Sequence, residues 1–142
     1  MVIVLISCNH AKPINNLFQK TIVVCEKDKS DQLEITADDL LLFFSKNYPT
    51  LIKEEKPAKF AMLKVINRNN YSYLIARDTV NAKTYALDIK LIENNLILDI
   101  STTINICQCV ASDETAFNIN SDGSISGCIS GNHTISKIEE AK

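Results

Sequence analysis

The stretch Lys83-Thr-Tyr-Ala-Leu-Asp-Ile-Lys-Leu91 alternates at period two, with Tyr85, Leu87, Ile89 and Leu91 on one face and Thr84, Ala86, Asp88 and Lys90 on the other. A strand of this kind belongs to an antiparallel sheet with one buried face and one wet face. Glu93-Asn94-Asn95 turns the chain, and Leu96, Leu98 and Ile100 continue the apolar face over 96–101. Upstream, Lys59 to Ile66 and Tyr71 to Asp78 read as two more strands, joined by the turn-prone residues Asn67-Arg68-Asn69-Asn70. Downstream, 104–110 and 116–120 read as strands. Ser121-Asp122-Gly123 is a turn signal leading into a strand over 124–129, and 133–138 closes the series.

Before this run of strands the period is helical. Thr36 carries a hydroxyl able to cap a helix, and Asp38 and Asp39 stand where the helix dipole favours acids. Leu40 to Phe44 spread apolar residues over most of the circumference, which predicts cover on more than one side. Tyr48-Pro49 ends the helix, because a residue before proline avoids the α region. Thr21 to Cys25 reads as a short strand and Glu26 to Gln32 as a charged loop. The expected fold is α+β, one N-terminal helix packed on a predominantly antiparallel β-meander of six to eight strands. The absence of βαβ spacing argues against a nucleotide-binding parallel sheet, and no repeat of solenoid length is visible.

The chain has 142 residues, of which 46% are hydrophobic, so residues 21–142 can bury a core as a single domain without metal or cross-links. Fifteen Lys and Arg against 17 Asp and Glu, with no basic cluster, leave no electrostatic footprint for nucleic acid. Nineteen Ile, 14 Asn and 13 Lys against two Arg are the usage of an AT-rich genome, read here as bacterial.

The first residues, Met1-Val-Ile-Val-Leu-Ile-Ser7-Cys8, form an apolar run too short to span a bilayer, which needs about 20 residues. The run fits the tail of a signal-peptide h-region. Leu5-Ile6-Ser7-Cys8 resembles the lipobox of bacterial lipoproteins, in which a small residue precedes a cysteine that is lipidated and becomes the new N-terminus. The resemblance covers four residues and implies that 1–7 are a signal-peptide remnant, Cys8 the lipidation site and 8–20 a lipid-anchored tether. The polar composition of 9–20, with Pro13, suits a tether. The competing reading makes residues 2–6 a buried strand, since Val and Ile are strong strand formers.

With Cys8 as anchor, Cys25, Cys107, Cys109 and Cys128 remain, an even number suited to one or two disulfides in an oxidising compartment, with three pairings open. Free buried thiols are a further reading. Cys107 and Cys109 share one strand face, and with Cys128 and His133 they make a candidate zinc site, although one-residue spacing on a strand departs from zinc knuckles. All three glycines, Gly123, Gly127 and Gly131, cluster, and with Asn132 and His133 they form a candidate ligand loop. Tight turns or bulges near a sheet edge are the favoured reading. Asn118 to Gly123 resembles half of an EF-hand calcium loop, but position twelve is Ile129 where a bidentate Glu belongs, so it reads as a hairpin turn.

Catalytic constellations are thin. His10 lies in the tether, which leaves His133, and no nucleophile motif frames any serine. Asp38-Asp39 and Glu54-Glu55 are adjacent in sequence and point apart. The reading is therefore a small bacterial cell-envelope lipoprotein, facing periplasm or cell surface. It has no cofactor and no catalytic residue, and its domain binds a protein partner or plays a structural role. The alternatives are a soluble cytoplasmic binding or immunity-type protein with reduced cysteines, and a Cys/His zinc-binding domain. An enzyme using His133 with Cys128 and a carboxylate is the remaining possibility.

Overall fold

A computed structural model describes residues 21–49 and 57–137. The expectations for Cys8, the tether 8–20, residues 1–7, His10 and Glu54-Glu55 lie outside these residues. The described elements run β1 (Thr21–Glu26), α1 (Ala37–Asn47), β2 (Phe60–Arg68), β3 (Tyr71–Asp78), β4 (Lys83–Ile92), β5 (Asn95–Asp99), β6 (Thr103–Gln108), a 3-10 turn (Glu114–Ala116), β7 (Phe117–Ile119), β8 (Ile125–Cys128) and β9 (Asn132–Lys137). The chain is α+β, mostly antiparallel sheet with one helix among the described residues. In order, that helix follows β1.

Seven strands form one sheet along the path β1-β5-β4-β3-β2, with β6 paired to both β4 and β9, while β7 and β8 form a separate hairpin. The long strand β4 organises the sheet. One edge pairs with β3 from Lys83 to Ile89, and the other pairs with β6 at Lys83–Leu87 and with β5 at Lys90–Ile92. A jog between β5 and β6 makes this shared edge possible. The Asp99 carboxylate accepts from the Ser101 backbone N–H at 2.8 Å and from its hydroxyl at 2.6 Å, a local turn that competes with the ladder and ends β5 two residues before the predicted boundary.

The helix starts where its chemistry allows. Thr36 Oγ1 accepts from the Asp39 N–H at 3.1 Å while Asp39 Oδ2 accepts from the Thr36 N–H at 3.0 Å, a reciprocal capping box. Its buried stripe is Leu40, Phe43 and Phe44, with Leu41 packed at the margin. Leu42 stays half-buried, so the expected cover on more than one side is met only in part. Phe44 stacks on Phe60 of β2 at 5.3 Å and meets Tyr85 of β4 edge-on at 5.3 Å. Tyr48, at the helix C-terminus, donates its hydroxyl to the Ile100 carbonyl at 2.9 Å and so ties the helix end to the jog.

Two expectations for the decisive strand need correction. Thr84 and Ala86 are not on a wet face. Both are fully buried, because the β7–β8 hairpin and the 3-10 turn cover that side with Ala116 and Phe117. Leu91, expected in the core, is 50% exposed, at a point where β4 has left β3 after the Ser72–Ile89 pair and pairs only with β5.

Phe44→Ala is expected to lower stability by about 3–5 kcal/mol in denaturant unfolding, since it empties a fully buried aromatic site. Thr36→Ala, which removes only a cap, should cost about 1 kcal/mol.

Candidate functional site

The second face of the sheet gathers most of the residues singled out by sequence. Cys107 on β6 and Cys128 at the end of β8 form a disulfide with Cα atoms 5.8 Å apart, closing a loop across 21 residues. Closure of a loop of this length stabilises by about 3 kcal/mol in the chain-entropy account. Cys25 and Cys109 are free. Cys25 lies in the core beneath the helix, away from the other three. Burial pushes its thiol up from its ordinary value, partly offset by a hydrogen bond with Ser30.

The disulfide answers the zinc reading. Two of the four proposed ligands, Cys107 and Cys128, have their sulfurs bonded to each other, so the set Cys107, Cys109, Cys128 and His133 does not offer three thiolates. No group of three His, Cys, Asp or Glu among the described residues stands close enough to hold a metal ion. The bonded Cys128 likewise has no thiol to pair with His133 as a nucleophile. His133 sits opposite Cys107 in the β6–β9 register, and its Nε2 lies 3.0 Å from Oδ1 of the buried Asn105.

The glycine cluster is built for close approach. Gly123 has φ +97°, and a Cβ there would collide with the Arg68 carbonyl oxygen, so only glycine lets the β7–β8 turn rest on the β2–β3 turn. Gly131 has φ +85° and stands in the same relation to the Gln108 carbonyl. Gly127 pairs with Asn118 in the hairpin, and Asn132 and His133 begin β9. The segment from Asn118 to Ser124 is the hairpin turn expected of it. The Asp122 carboxylate accepts from the Ser124 N–H at 2.9 Å and from its hydroxyl at 2.6 Å, which holds its pKa below the usual range.

Several polar ties seat this hairpin. Tyr73 donates its hydroxyl to the Gly123 carbonyl at 2.8 Å, and burial holds that phenol well above its ordinary pKa. The Asn69 amide donates to the Ser121 carbonyl. Lys64 of β2 lies 2.8 Å from Glu114, and Arg68 lies 3.8 Å from the same carboxylate. The hydrogen bond from Lys64 holds Glu114 below its ordinary value, and the reverse contact raises Lys64.

Sequence reasoning missed a cleft of about 650 Å³ that opens where β4 parts from β3. Its lining includes Asn67 near the end of β2, Asn70 of the β2–β3 turn, Tyr71 at the start of β3, Lys27 and Asp28 of the loop after β1, and the apolar Ile89 and Leu96. Paired amides and charges of both signs beside apolar side chains can hold a small polar ligand or a peptide segment. The one serine in the wall, Ser72, donates its hydroxyl to Asn67 Oδ1 at 2.6 Å, a contact with no base in it. In sequence, Asn67 to Asn70 signal only a turn.

Compared with known proteins, the chain matches no family model, no curated protein and no solved structure.

Two outcomes follow from the hairpin's seating. Gly123→Ala should destabilise by more than about 1 kcal/mol in denaturant unfolding, because it adds both the collision and the φ penalty. The lowered Glu114 pKa contributes stability above the ordinary carboxyl value of 4.5, and this is lost as pH falls through the folded value. The raised Lys64 pKa contributes below 10.5, and this is lost as pH rises through its folded value. Glu114→Gln should therefore flatten both limbs of the curve of melting temperature against pH, by a small amount given the partial exposure of the pair.

Proposed function

We propose that the chain is a small bacterial cell-envelope lipoprotein, anchored through Cys8, whose single domain binds a protein partner or plays a structural role without catalysis. The Cys107–Cys128 disulfide carries the reading, since disulfides persist in oxidising compartments and are rare in the cytosol. The lipobox-like Leu5-Ile6-Ser7-Cys8 and the polar stretch 9–20 supply the route to such a compartment and a tether from the membrane. Two or more acyl chains, at about 0.8 kcal/mol per buried CH₂, hold a domain at the membrane without a spanning helix.

In this reading residues 21–142 form one domain, an early helix against an antiparallel meander. The cleft between the β2–β3 turn and the β1 loop is its binding surface.

The test is an intact mass of the protein from the membrane and soluble fractions of its own host, alkylated without reduction. A membrane species starting at Cys8, heavier by acyl chains and retaining one disulfide, is the expected result. A soluble species starting at Met1 with five reactive thiols would overturn the proposal in favour of a cytoplasmic binding protein. Extra mass of one zinc ion on that species would favour the zinc-binding domain.

A further inference from the structure

Cys107, Cys109 and Cys128 share one apolar cluster, and the disulfide uses two of them. Cys107 is fully buried, whereas Cys109, two residues on, is partly exposed. Cys109 packs against the same apolar cluster as Cys128. Its Sγ lies 3.7 Å from the Cys107 carbonyl oxygen. Its Cβ lies 3.1 Å from where a side chain on Gly131 would begin, and the Cys128 Sγ lies 3.5 Å from the carbonyl of the next residue, Asn132. Cys109 and Cys128 thus border adjacent residues of one segment, Cys109 through its Cβ at Gly131 and Cys128 through its sulfur at Asn132.

Both ends are tied by hydrogen bonds, the Cys128 end through the Ile129 N–H, which donates to the Ala116 carbonyl at 2.9 Å. Arg77 Nη1 donates to the Cys109 carbonyl at 2.9 Å and to the Ala111 carbonyl at 3.1 Å, and so fixes the backbone around the thiol. Cys128 is the last residue of β8, followed by Ile129, which is 61% exposed, and by bends as far as Gly131. The end of a short strand opens locally at low cost.

We propose that Cys109 exchanges with the Cys107–Cys128 disulfide, so that Cys128 has two alternative partners two residues apart, Cys107 on β6 and Cys109 just past its end. Cys109 gives up its proton and its thiolate attacks the Cys128 sulfur. The Cys109–Cys128 bond forms, the Cys107–Cys128 bond breaks, and Cys107 leaves as a thiolate that takes up a proton. One thiol and one disulfide stand on each side, so no oxidant or reductant is needed. The exchange moves the disulfide from a fully buried partner to a partly exposed one, where an external thiol can reach it. This holds whether or not Cys8 carries a lipid.

The test uses the full chain, held at about pH 8, near the ordinary thiol range. It is then quenched in acid, unfolded, alkylated and mapped by peptide mass. The expected result is alkylated Cys107 in a fraction of the molecules, and loss of that label in Cys109→Ser. Cys107→Ser is expected to retain one disulfide, now between Cys109 and Cys128. Wild-type protein alkylated at Cys109 and never at Cys107 would overturn the proposal, as would a folded Cys107→Ser with Cys109 and Cys128 both free. If Cys107→Ser does not fold, the wild-type map decides.

Discussion

The ring of Phe44 is the contact on which the rest of the structure depends. It lies fully buried between Phe60 and Tyr85, so one helical side chain fixes the distance between α1 and two strands that are not themselves neighbours. Phe60 and Tyr85 also meet edge-on at 5.2 Å, which completes a triangle of rings with the offset and T-shaped geometries that aromatic quadrupoles favour. Once this triangle is set, Tyr48 is one turn further along the helix and reaches the Ile100 carbonyl. That places the jog, and the jog lets β5 and β6 share one edge of β4. The helix therefore shapes the sheet as well as covering it.

On the opposite face the problem is polar. Thr84 is fully buried, and its hydroxyl is satisfied by donating to the Ala111 carbonyl at 2.7 Å and accepting from Arg77 at 2.9 Å. On the helix side, Asp78, 1% exposed, accepts from the Val80 and Asn81 backbones and from the Asn81 amide, which closes the β3–β4 turn. Buried polar groups are tolerated where each finds partners. The same Arg77 that satisfies Thr84 holds the segment carrying Cys109. Core packing and thiol placement thus share one guanidinium.

Most of the local structure was legible in the chain because it rests on short-range physics. The Thr36 cap, the end at Tyr48-Pro49, the Tyr71–Asp78 strand and the turn at Ser121-Asp122-Gly123 each follow from contacts within a few residues. The Asp39 half of the capping box could have been read from the same spacing. Period-two alternation identified β4, but alternation reports only that two faces differ, not that one is wet. Thr84 and Ala86 are small, and small residues fit under a second layer as readily as they face water.

The sequence by itself determined most of the elements, the antiparallel character of the sheet, and the apolar run that ends in Cys8; it read a strand on to Val110, whereas β6 stops at Gln108 and leaves Cys109 outside. Those properties depend on backbone preference, side-chain period and order along the chain, all of which are local. Only the tertiary structure decided that Cys128 bonds Cys107 while Cys25 lies in a separate core, and that Gly123 and Gly131 seat one backbone against another. It also decided that a cleft opens where β4 parts from β3. Each of these depends on which distant segments come within a few ångströms, and residue type and spacing are compatible with several such meetings.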